Sequence, residues 1–355
     1  DRENETARVI GSGGNYLSNV KVFARDAGTV SRFLLPACAA LGGEYAFSAS
    51  ARMCERPMQP LLDILALQGI KFKFENMAGH LPLTFESSCL SGGTYNVSGS
   101  KSSQFLSGLL IASPYAKSTT LLNSDSTHLQ PYVDMTANMM IEFGVSVDRV
   151  GNSYCIESGQ AYSGRDYMLE PDVSTASYFW AVAALTEGKI LVQNIKRDCL
   201  QGDIEFLNLL QKMGCKVVSN DDGIIVYGPK QLKSVKLNMR SYSDTFMTAA
   251  VLACFAEGET CLFGLSHTRL QESDRIECIA KGLRALGANV RTDADAIYVQ
   301  PGIMRGAEVS GCNDHRIAMS LALVGIKVPG VIITGADCVK KTCPDYFERM
   351  KNIVR

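Results

Sequence analysis

The chain has few histidines, no paired-cysteine metal motif and almost no net charge, and each shortage rules out a class of function. Its four histidines form no cluster with cysteine, and the nearest cysteine pair, Cys338 and Cys343, has the wrong spacing for CxxC. A zinc site or a disulfide scaffold is therefore not expected, and thiols in a reducing, cytoplasmic setting fit better. With 35 basic and 36 acidic residues the formal charge is -1, so no bulk field draws the chain to nucleic acid or to a membrane surface. The longest apolar run, FMTAAVLACFA at 246–256, is about half the length of a spanning helix. No GxGxxG or Walker-type loop is present. The chain opens on Asp1 with no signal-peptide pattern, which suggests that an upstream portion is missing.

What is present is a repeat. A polar phrase, a helix of small and apolar residues, a glycine turn and a strand recur with anchors at Gly28, Ser102, Asp172, Asp244 and His315, separated by 74, 70, 72 and 71 residues. That period exceeds the common solenoid repeats, so each unit carries several elements. Between these copies a second helix ends at a glycine followed by alternating apolar residues, as in LLDILALQGIKFKF and LNLLQKMGCKVV. Glycine there reads as the left-handed helix stop and the alternation as a strand. The 355 residues predict two domains. Five helix starts place the boundary near 168–172, giving a first domain over 1–169 with two units and a second over 170–355 with three. A sixth unit is expected to be absent from the front.

The polar phrases sit at helix amino ends, where free N–H groups and the helix dipole favour anions. Taken singly, Thr29, Ser102, Asp172, Asp244 or Asn313 reads more readily as a helix cap than as a site. Repetition with charge favours a site: AGTVSRF supplies Arg32, ARMCERPM supplies Arg52 and Arg56, and CVKKTCPDYF supplies Lys340 and Lys341. NDHRIAM puts His315 and Arg316 in a first helical turn, which is unfavourable for cations unless an anion is near. The alternative there is a simple pair between Asp314 and an arginine. In HTRLQESDRI, Glu272, Ser273 and Asp274 fit a helix cap, whereas Glu272 beside Arg275 suits a carboxylate that stays ionised and moves a proton.

In order, DAGTVSRF, ARMCERPM, GSKSSQFLSGLL, EPDVSTASYF, YSDTFMTAAVLA, QESDRI, NDHRIAM and KKTCPDYF resemble 5-enolpyruvylshikimate-3-phosphate synthase over essentially the whole chain. The resemblance implies an α/β fold of two similar domains built from repeated βαβαββ units, the enolpyruvyl transferase fold, here with its first unit missing. It implies transfer of the enolpyruvyl group of phosphoenolpyruvate to the 5-hydroxyl of shikimate-3-phosphate, through a tetrahedral intermediate, with release of phosphate. Both domains then supply cations and helix ends to a closing cleft that excludes water. Carried over by position, Thr29, Ser102, Ser103, Gln104, Tyr132, Asp244, His267 and Gln271 contact shikimate-3-phosphate. Gly28, Arg52, Gln104, Arg275, His315, Arg316 and Lys341 hold phosphoenolpyruvate, and Asp244 and Glu272 transfer protons. No metal and no organic cofactor is implied, and the expected state is a cytoplasmic monomer, or an organellar one had a targeting segment preceded Asp1.

Departures from the family pattern qualify this. Its amino-terminal Lys-Ser and Arg phrase has no counterpart, so the chain as it stands is expected to turn over poorly, with about 70 residues upstream by the repeat period. Gln271 replaces a usual Lys, and Leu129 replaces a Ser whose donor is worth roughly 1–3 kcal/mol. Asp26 replaces an Asn and Phe33 a Pro. The competing expectations are a non-catalytic binding or regulatory relative, favoured by Gln271, Leu129 and Asp26, and the sibling transferase acting on a UDP-amino sugar, which the SSQF and DHRIAM phrases fit less well.

Overall fold

A computed structural model describes residues 6–12, 18–98, 102–125 and 131–353. The chain divides into two compact units, Asp1–Tyr167 and Met168–Arg355. In the first unit the order is β1 (Val20–Phe23), α1 (Gly28–Leu41), β2 (Gly43–Ser48), α2 (Ala51–Glu55), α3 (Gln59–Leu67), β3 (Lys71–Phe74) and β4 (Leu83–Ser87). The pattern then repeats with β5 (Gly93–Val97), α4 (Gln104–Ala112), β6 (Thr120–Ser124), α5 (Pro131–Glu142), β7 (Asp148–Val150) and β8 (Ser153–Ile156). The two sheets have the same topology, β1-β2-β4-β3 and β5-β6-β8-β7, a parallel outer pair joined to an antiparallel hairpin. The parallel pairs are joined through α1 and α4, the crossover that parallel strands require.

The second unit opens with α6 (Val173–Thr186), β9 (Lys189–Gln193), α7 (Phe206–Lys212), β10 (Lys216–Asn220) and β11 (Gly223–Tyr227). Next come β12 (Leu232–Lys233), β13 (Lys236–Asn238), α8 (Phe246–Ala253), β14 (Ala256–Glu257), β15 (Thr260–Phe263), α9 (Arg275–Ala285), β16 (Asn289–Thr292) and β17 (Ala296–Gln300). It closes with β18 (Glu308–Ser310), α10 (His315–Ala322), β19 (Ile332–Thr334) and α11 (Tyr346–Ile353). The sheet β13-β15-β17-β16 repeats the topology of the first unit. Among the described residues, β10-β11-β9 lacks the parallel outer strand and β18-β19 lacks the hairpin, so the βαβαββ pattern is complete three times and partial twice.

The glycine stops read from the sequence are where the second helices end. Gly69, Gly144, Gly214 and Gly287 all have φ between +89° and +102°. A Cβ on Gly287 would also stand 2.2 Å from the Ile303 carbonyl oxygen, so a side chain is excluded there twice over. The apolar run at 246–256 forms α8, all eight of whose residues are buried in the second unit, a core helix apolar on every face. Among the described residues no helix is long and apolar enough to cross a membrane.

Each unit has its own core. In the first, Leu35, Phe47, Leu61, Leu83, Phe105 and Leu110 pack between helices and sheets; in the second, Trp180, Phe206, Ile224, Phe246, Ile276 and Ile317 do the same. Burying side chains of this size contributes about 1.5–3 kcal/mol each, which holds the helix amino ends in fixed places. Those amino ends carry the polar phrases.

Candidate active-site residues on each unit

In the first unit the site is built around α1. Its first residue, Gly28, is buried, and a Cβ there would meet Gln104 Oε1 at 2.9 Å and the Arg56 guanidinium at 3.1 and 3.2 Å. Glycine at this position therefore lets two polar groups reach a helix amino end whose preceding residue, Ala27, offers no side-chain cap. One turn on, Arg32 is buried; its Nη1 donates to Gln104 Oε1 at 2.9 Å and Ser102 Oγ at 3.2 Å, and its Nη2 donates to the Pro57 carbonyl at 3.2 Å. Burial, and then the charge of Arg56, push Arg32 down to about 9. Two adjacent buried guanidiniums, one of them meeting three uncharged acceptors, make a place that an anion would stabilise.

Ser102, Gln104, Gly28 and the two arginines thus lie together. Ser103 precedes α4 without capping it, Thr29 is exposed in the first turn of α1, and Tyr132 is half-buried in the first turn of α5. Arg52 is placed differently from expectation: its side chain is 42% exposed, its Nη1 donates to Glu55 Oε2 at 2.8 Å, and it is Arg56 that lies beside Gly28. Sequence named both arginines as basic, and only burial separates them. Asp26 accepts a short hydrogen bond from Ser50. Leu129 lies outside the described residues.

In the second unit three helix starts converge on a network of ion pairs. Asp244, just before α8, is held by Arg275 Nη1 at 2.9 Å and Arg316 Nη2 at 2.8 Å. Arg275 also donates from Nε to Asp314 Oδ2 at 2.8 Å and from Nη1 to Gln271 Oε1 at 2.5 Å. Glu272 accepts from Lys341 Nζ at 2.5 Å, and its other oxygen lies 3.1 Å from His315 Nδ1. His267 Nε2 shares a hydrogen bond with Ser243 Oγ at 2.9 Å. Hydrogen bonds thus link Asp244, Gln271, Arg275, Arg316 and Asp314 in one group and Glu272, His315 and Lys341 in a second, whose His315 Nδ1 lies 3.8 Å from Asp314 Oδ1, while His267 bonds Ser243, the residue before Asp244.

The electrostatics follow from that geometry. Burial works against ionisation of Glu272, but the His315 hydrogen bond and the charges of Arg275, His315 and Lys341 outweigh it and hold the carboxyl below the usual range. Asp244 is also held low, because Arg316, Arg275 and His315 overcome its burial. Asp314, buried, is held low by Arg275. Arg275 is buried and Arg316 half-buried, and the carboxylates around them fix their charge. His267 is pushed down by burial and by Arg240, towards a neutral imidazole.

Several expectations change here. Asp314 caps α10, accepting from the Arg316 N–H at 3.0 Å, and pairs through its side chain with Arg275. Asn313 is not the cap, and Asp244 lies ahead of α8 without capping it. Asp172 does cap α6 and Asp274 does cap α9. At the start of α10 the Arg316 cation faces one of the chain's own carboxylates, Asp244, and the His315 imidazole lies against another, Glu272. Arg269 is structural: it pairs with Asp274 at 2.7 Å and donates to the Ala294 and Asp293 carbonyls.

One buried acid escaped the sequence reading. Asp203, 3% exposed, accepts from Ser174 Oγ at 2.6 Å, and burial with the nearby charge of Asp244 pushes it up to about 7. Its phrase, QGDIE, carries no signal beyond a carboxylate inside an apolar pattern. Ligand-type atoms of Glu272, Asp314 and His315 lie within 4.8 Å of one another, but each of the two carboxylates already faces a cation, Lys341 or Arg275.

Comparison with known proteins places this arrangement. Residues 1–350 match the family described as EPSP synthase (3-phosphoshikimate 1-carboxyvinyltransferase). A 3-phosphoshikimate 1-carboxyvinyltransferase from Nostoc punctiforme is 38% identical over 345 residues, 96% of this chain and 81% of the relative. One from Methanoregula boonei is 38% identical over 331 residues, 93% and 78% of the two chains. Among solved structures, an EPSP synthase from Acinetobacter baumannii superposes with a TM-score of 0.78 at 25% identity, covering 93% of this chain and 78% of that one. The enolpyruvyl transferase NikO from Streptomyces tendae shares the fold, with a TM-score of 0.74 at 21% identity over 91% of this chain and 75% of that one.

Proposed function

We infer how the residues divide the work from the premise that this chain belongs to the EPSP synthase family. The chain is a 3-phosphoshikimate 1-carboxyvinyltransferase and performs enolpyruvyl transfer in the shikimate pathway. Its substrates are shikimate-3-phosphate and phosphoenolpyruvate. The observation that carries the assignment of residues is the placing of two ionised carboxylates against cations, Asp244 between Arg275 and Arg316 and Glu272 against Lys341, with His315 in hydrogen-bonding contact with Glu272.

The reaction needs a proton added to the methylene carbon of phosphoenolpyruvate, a proton removed from the 5-hydroxyl, and later a proton lost from the new methyl group as phosphate departs. A carboxylate with a cation beside it can take a proton and return it without leaving a buried charge unbalanced. We assign these transfers to Glu272 and Asp244. Arg275, Arg316 and Lys341 meet the anionic groups of phosphoenolpyruvate by exchanging part of their present pairing, and His315 steadies Glu272. For the first unit taken by itself, we assign Gly28, Arg56 and Gln104 to anionic substrate oxygens and Ser102, Ser103, Thr29 and Tyr132 to shikimate-3-phosphate. His267 and Gln271 supply uncharged polar contacts to the same substrate.

No metal and no organic cofactor enters this scheme. The near-neutral charge argues against a nucleic-acid partner, and the twelve free thiols fit a reducing, cytoplasmic compartment. The experiment is direct: phosphate release is followed with phosphoenolpyruvate alone and with shikimate-3-phosphate added. Release that requires both substrates supports the reading. Release indifferent to shikimate-3-phosphate, or none with either, contradicts it.

A further inference from the structure

Arg32 has no place in the division of work above, yet it is the most tightly held cation of the first unit. It is 3% exposed, and the charge that acts on it is that of Arg56, with no carboxylate beside it among the described residues. Its helix, α1, meets α4 so closely that a Cβ on Gly108 would stand 2.2 Å from the Arg32 carbonyl oxygen. The two helices are therefore fixed against each other there. The side chain then runs to the start of α4, where the guanidinium carbon lies 4.9 Å from the centre of the Phe105 ring. Nη1 donates to Gln104 Oε1 at 2.9 Å and to Ser102 Oγ at 3.2 Å, and Nη2 donates at 3.2 Å to the carbonyl of Pro57, the residue after Arg56. One side chain thus ties together three segments that carry Gln104, Ser102 and Arg56.

What these bonds do follows from donor and acceptor chemistry. A guanidinium has donors only, so whatever faces Arg32 must accept. An amide side chain can present either its oxygen or its NH2 group; with Oε1 taken by Arg32, Gln104 is left with its NH2 group. A hydroxyl has two lone pairs and one proton. Ser102 Oγ accepts from Arg32 and from the Gln104 backbone N–H at 3.3 Å, so its proton is what remains to be shared. Two side chains that could each have donated or accepted are both left as donors, the polarity that phosphate and carboxylate oxygens require. A Gln104 amide turned over would aim its oxygen at those same anionic groups.

We propose that Arg32 is a positioning residue that sets the hydrogen-bonding polarity of the first unit's substrate face, holding Gln104 and Ser102 as donors to anionic substrate oxygens without itself touching substrate. This rests on the assignment of Gln104 and Ser102 to substrate made above. It accounts for a cation kept inside the unit with uncharged acceptors: the charge is useful there because it cannot accept a hydrogen bond. The contribution of Arg32 to affinity therefore passes through Gln104 and Ser102, and it disappears when those two side chains are removed.

The test measures shikimate-3-phosphate affinity by calorimetry and side-chain order by NMR, both on the whole chain. Arg32→Met should weaken binding by about tenfold, the scale of a lost hydrogen bond to a charged group. Placed on a chain already carrying Ser102→Ala and Gln104→Ala, the same substitution should change affinity by less than about twofold. An equal loss in both backgrounds overturns the proposal, because a purely structural role or a direct charge on substrate would persist without Gln104 and Ser102. A measurement on the unaltered chain does not depend on whether Arg32→Met folds. The Gln104 side-chain amide, identified as the signal that Gln104→Ala removes, should be as rigid as ordered backbone, with an order parameter of about 0.85. A value below about 0.6 would show an amide that Arg32 does not hold and would overturn the proposal. That order is read without substrate, so a chain that binds no shikimate-3-phosphate fails the functional reading, whereas a loose Gln104 amide fails this inference.

Discussion

Arg275 and Asp314 form a buried ion pair, with Nε 2.8 Å from Oδ2 and side chains 3% and 0% exposed. Asp314 also caps α10, so one carboxylate fixes both a guanidinium and a helix start. Removing its charge while keeping its shape strands Arg275 inside the unit. Asp314→Asn should cost about 3 kcal/mol, the scale for a broken buried pair. Trp180, the single tryptophan, is buried in the same unit, so its fluorescence in a urea titration reads this loss. A change below about 0.5 kcal/mol, the scale of an ordinary surface substitution, would show that the pair is not what holds the turn.

The two arginines of ARMCERPM should behave very differently. Arg52 is paired with Glu55 at a site 42% and 64% exposed, where such pairs contribute little. Arg52→Ala should therefore change the KM for phosphoenolpyruvate by less than about twofold. Arg56→Ala removes a buried guanidinium from beside Gly28 and should raise that KM by about tenfold or more, the scale of a charged hydrogen bond. Steady-state kinetics on both variants decide it, and a reversed order would return the role to Arg52.

This pair also shows what sequence made legible. The repeat, the glycine stops and the helix-start phrases depend on residue type and spacing, so they could be read along the chain, whereas the strand order of a sheet such as β1-β2-β4-β3 depends on pairing between distant segments and could not. The choice between Arg52 and Arg56 depends on burial, which a five-residue helix and the adjoining Pro57 set and no periodicity reveals. Asp203 was missed for the same reason: a buried acid has no local signature when its partners, Ser174 and the charges of Asp244 and Arg316, are distant in sequence. Asp314 was read as a possible arginine partner, but which arginine it takes is set by the packing of α9 against α10.

Asp203 gives a pH prediction. Burial first, then the charge of Asp244, raises its folded pKa to about 7 from an ordinary 3.8. Between those values the folded chain holds a proton that the unfolded chain has lost. The stability this group contributes is therefore complete below pH about 4 and is lost as pH rises through about 7. Asp203→Asn keeps an acceptor for Ser174 and has no such titration, so its urea stability should fall less than that of the unaltered chain between pH 5 and pH 8. Parallel curves over that range would contradict the assignment.

Gln271 accepts from Arg275 at 2.5 Å, and the family resemblance places a lysine there. Gln271→Lys adds a cation for a phosphorylated substrate but removes an acceptor and puts like charge beside Arg275. Two opposite effects are expected. Affinity for shikimate-3-phosphate should rise by about tenfold at low salt, an advantage that fades with ionic strength, while the melting temperature falls. Calorimetric titration at two salt concentrations with a thermal melt reads both, and unchanged affinity would mean that position 271 does not face that substrate.

The most direct test of the account is hydrogen exchange at the transferred carbon. Adding a proton to the methylene of phosphoenolpyruvate makes a methyl group, and losing one of its three hydrogens later leaves solvent hydrogen behind. Run in deuterium oxide with both substrates, the chain should place deuterium on the enolpyruvyl methylene of its product, seen by proton NMR. Glu272→Gln and Asp244→Asn should each slow that incorporation by about 100-fold or more, the contribution of a positioned acid or base. Product formed without deuterium, or incorporation unchanged when both carboxylates are replaced, would contradict the claim that Glu272 and Asp244 carry the protons.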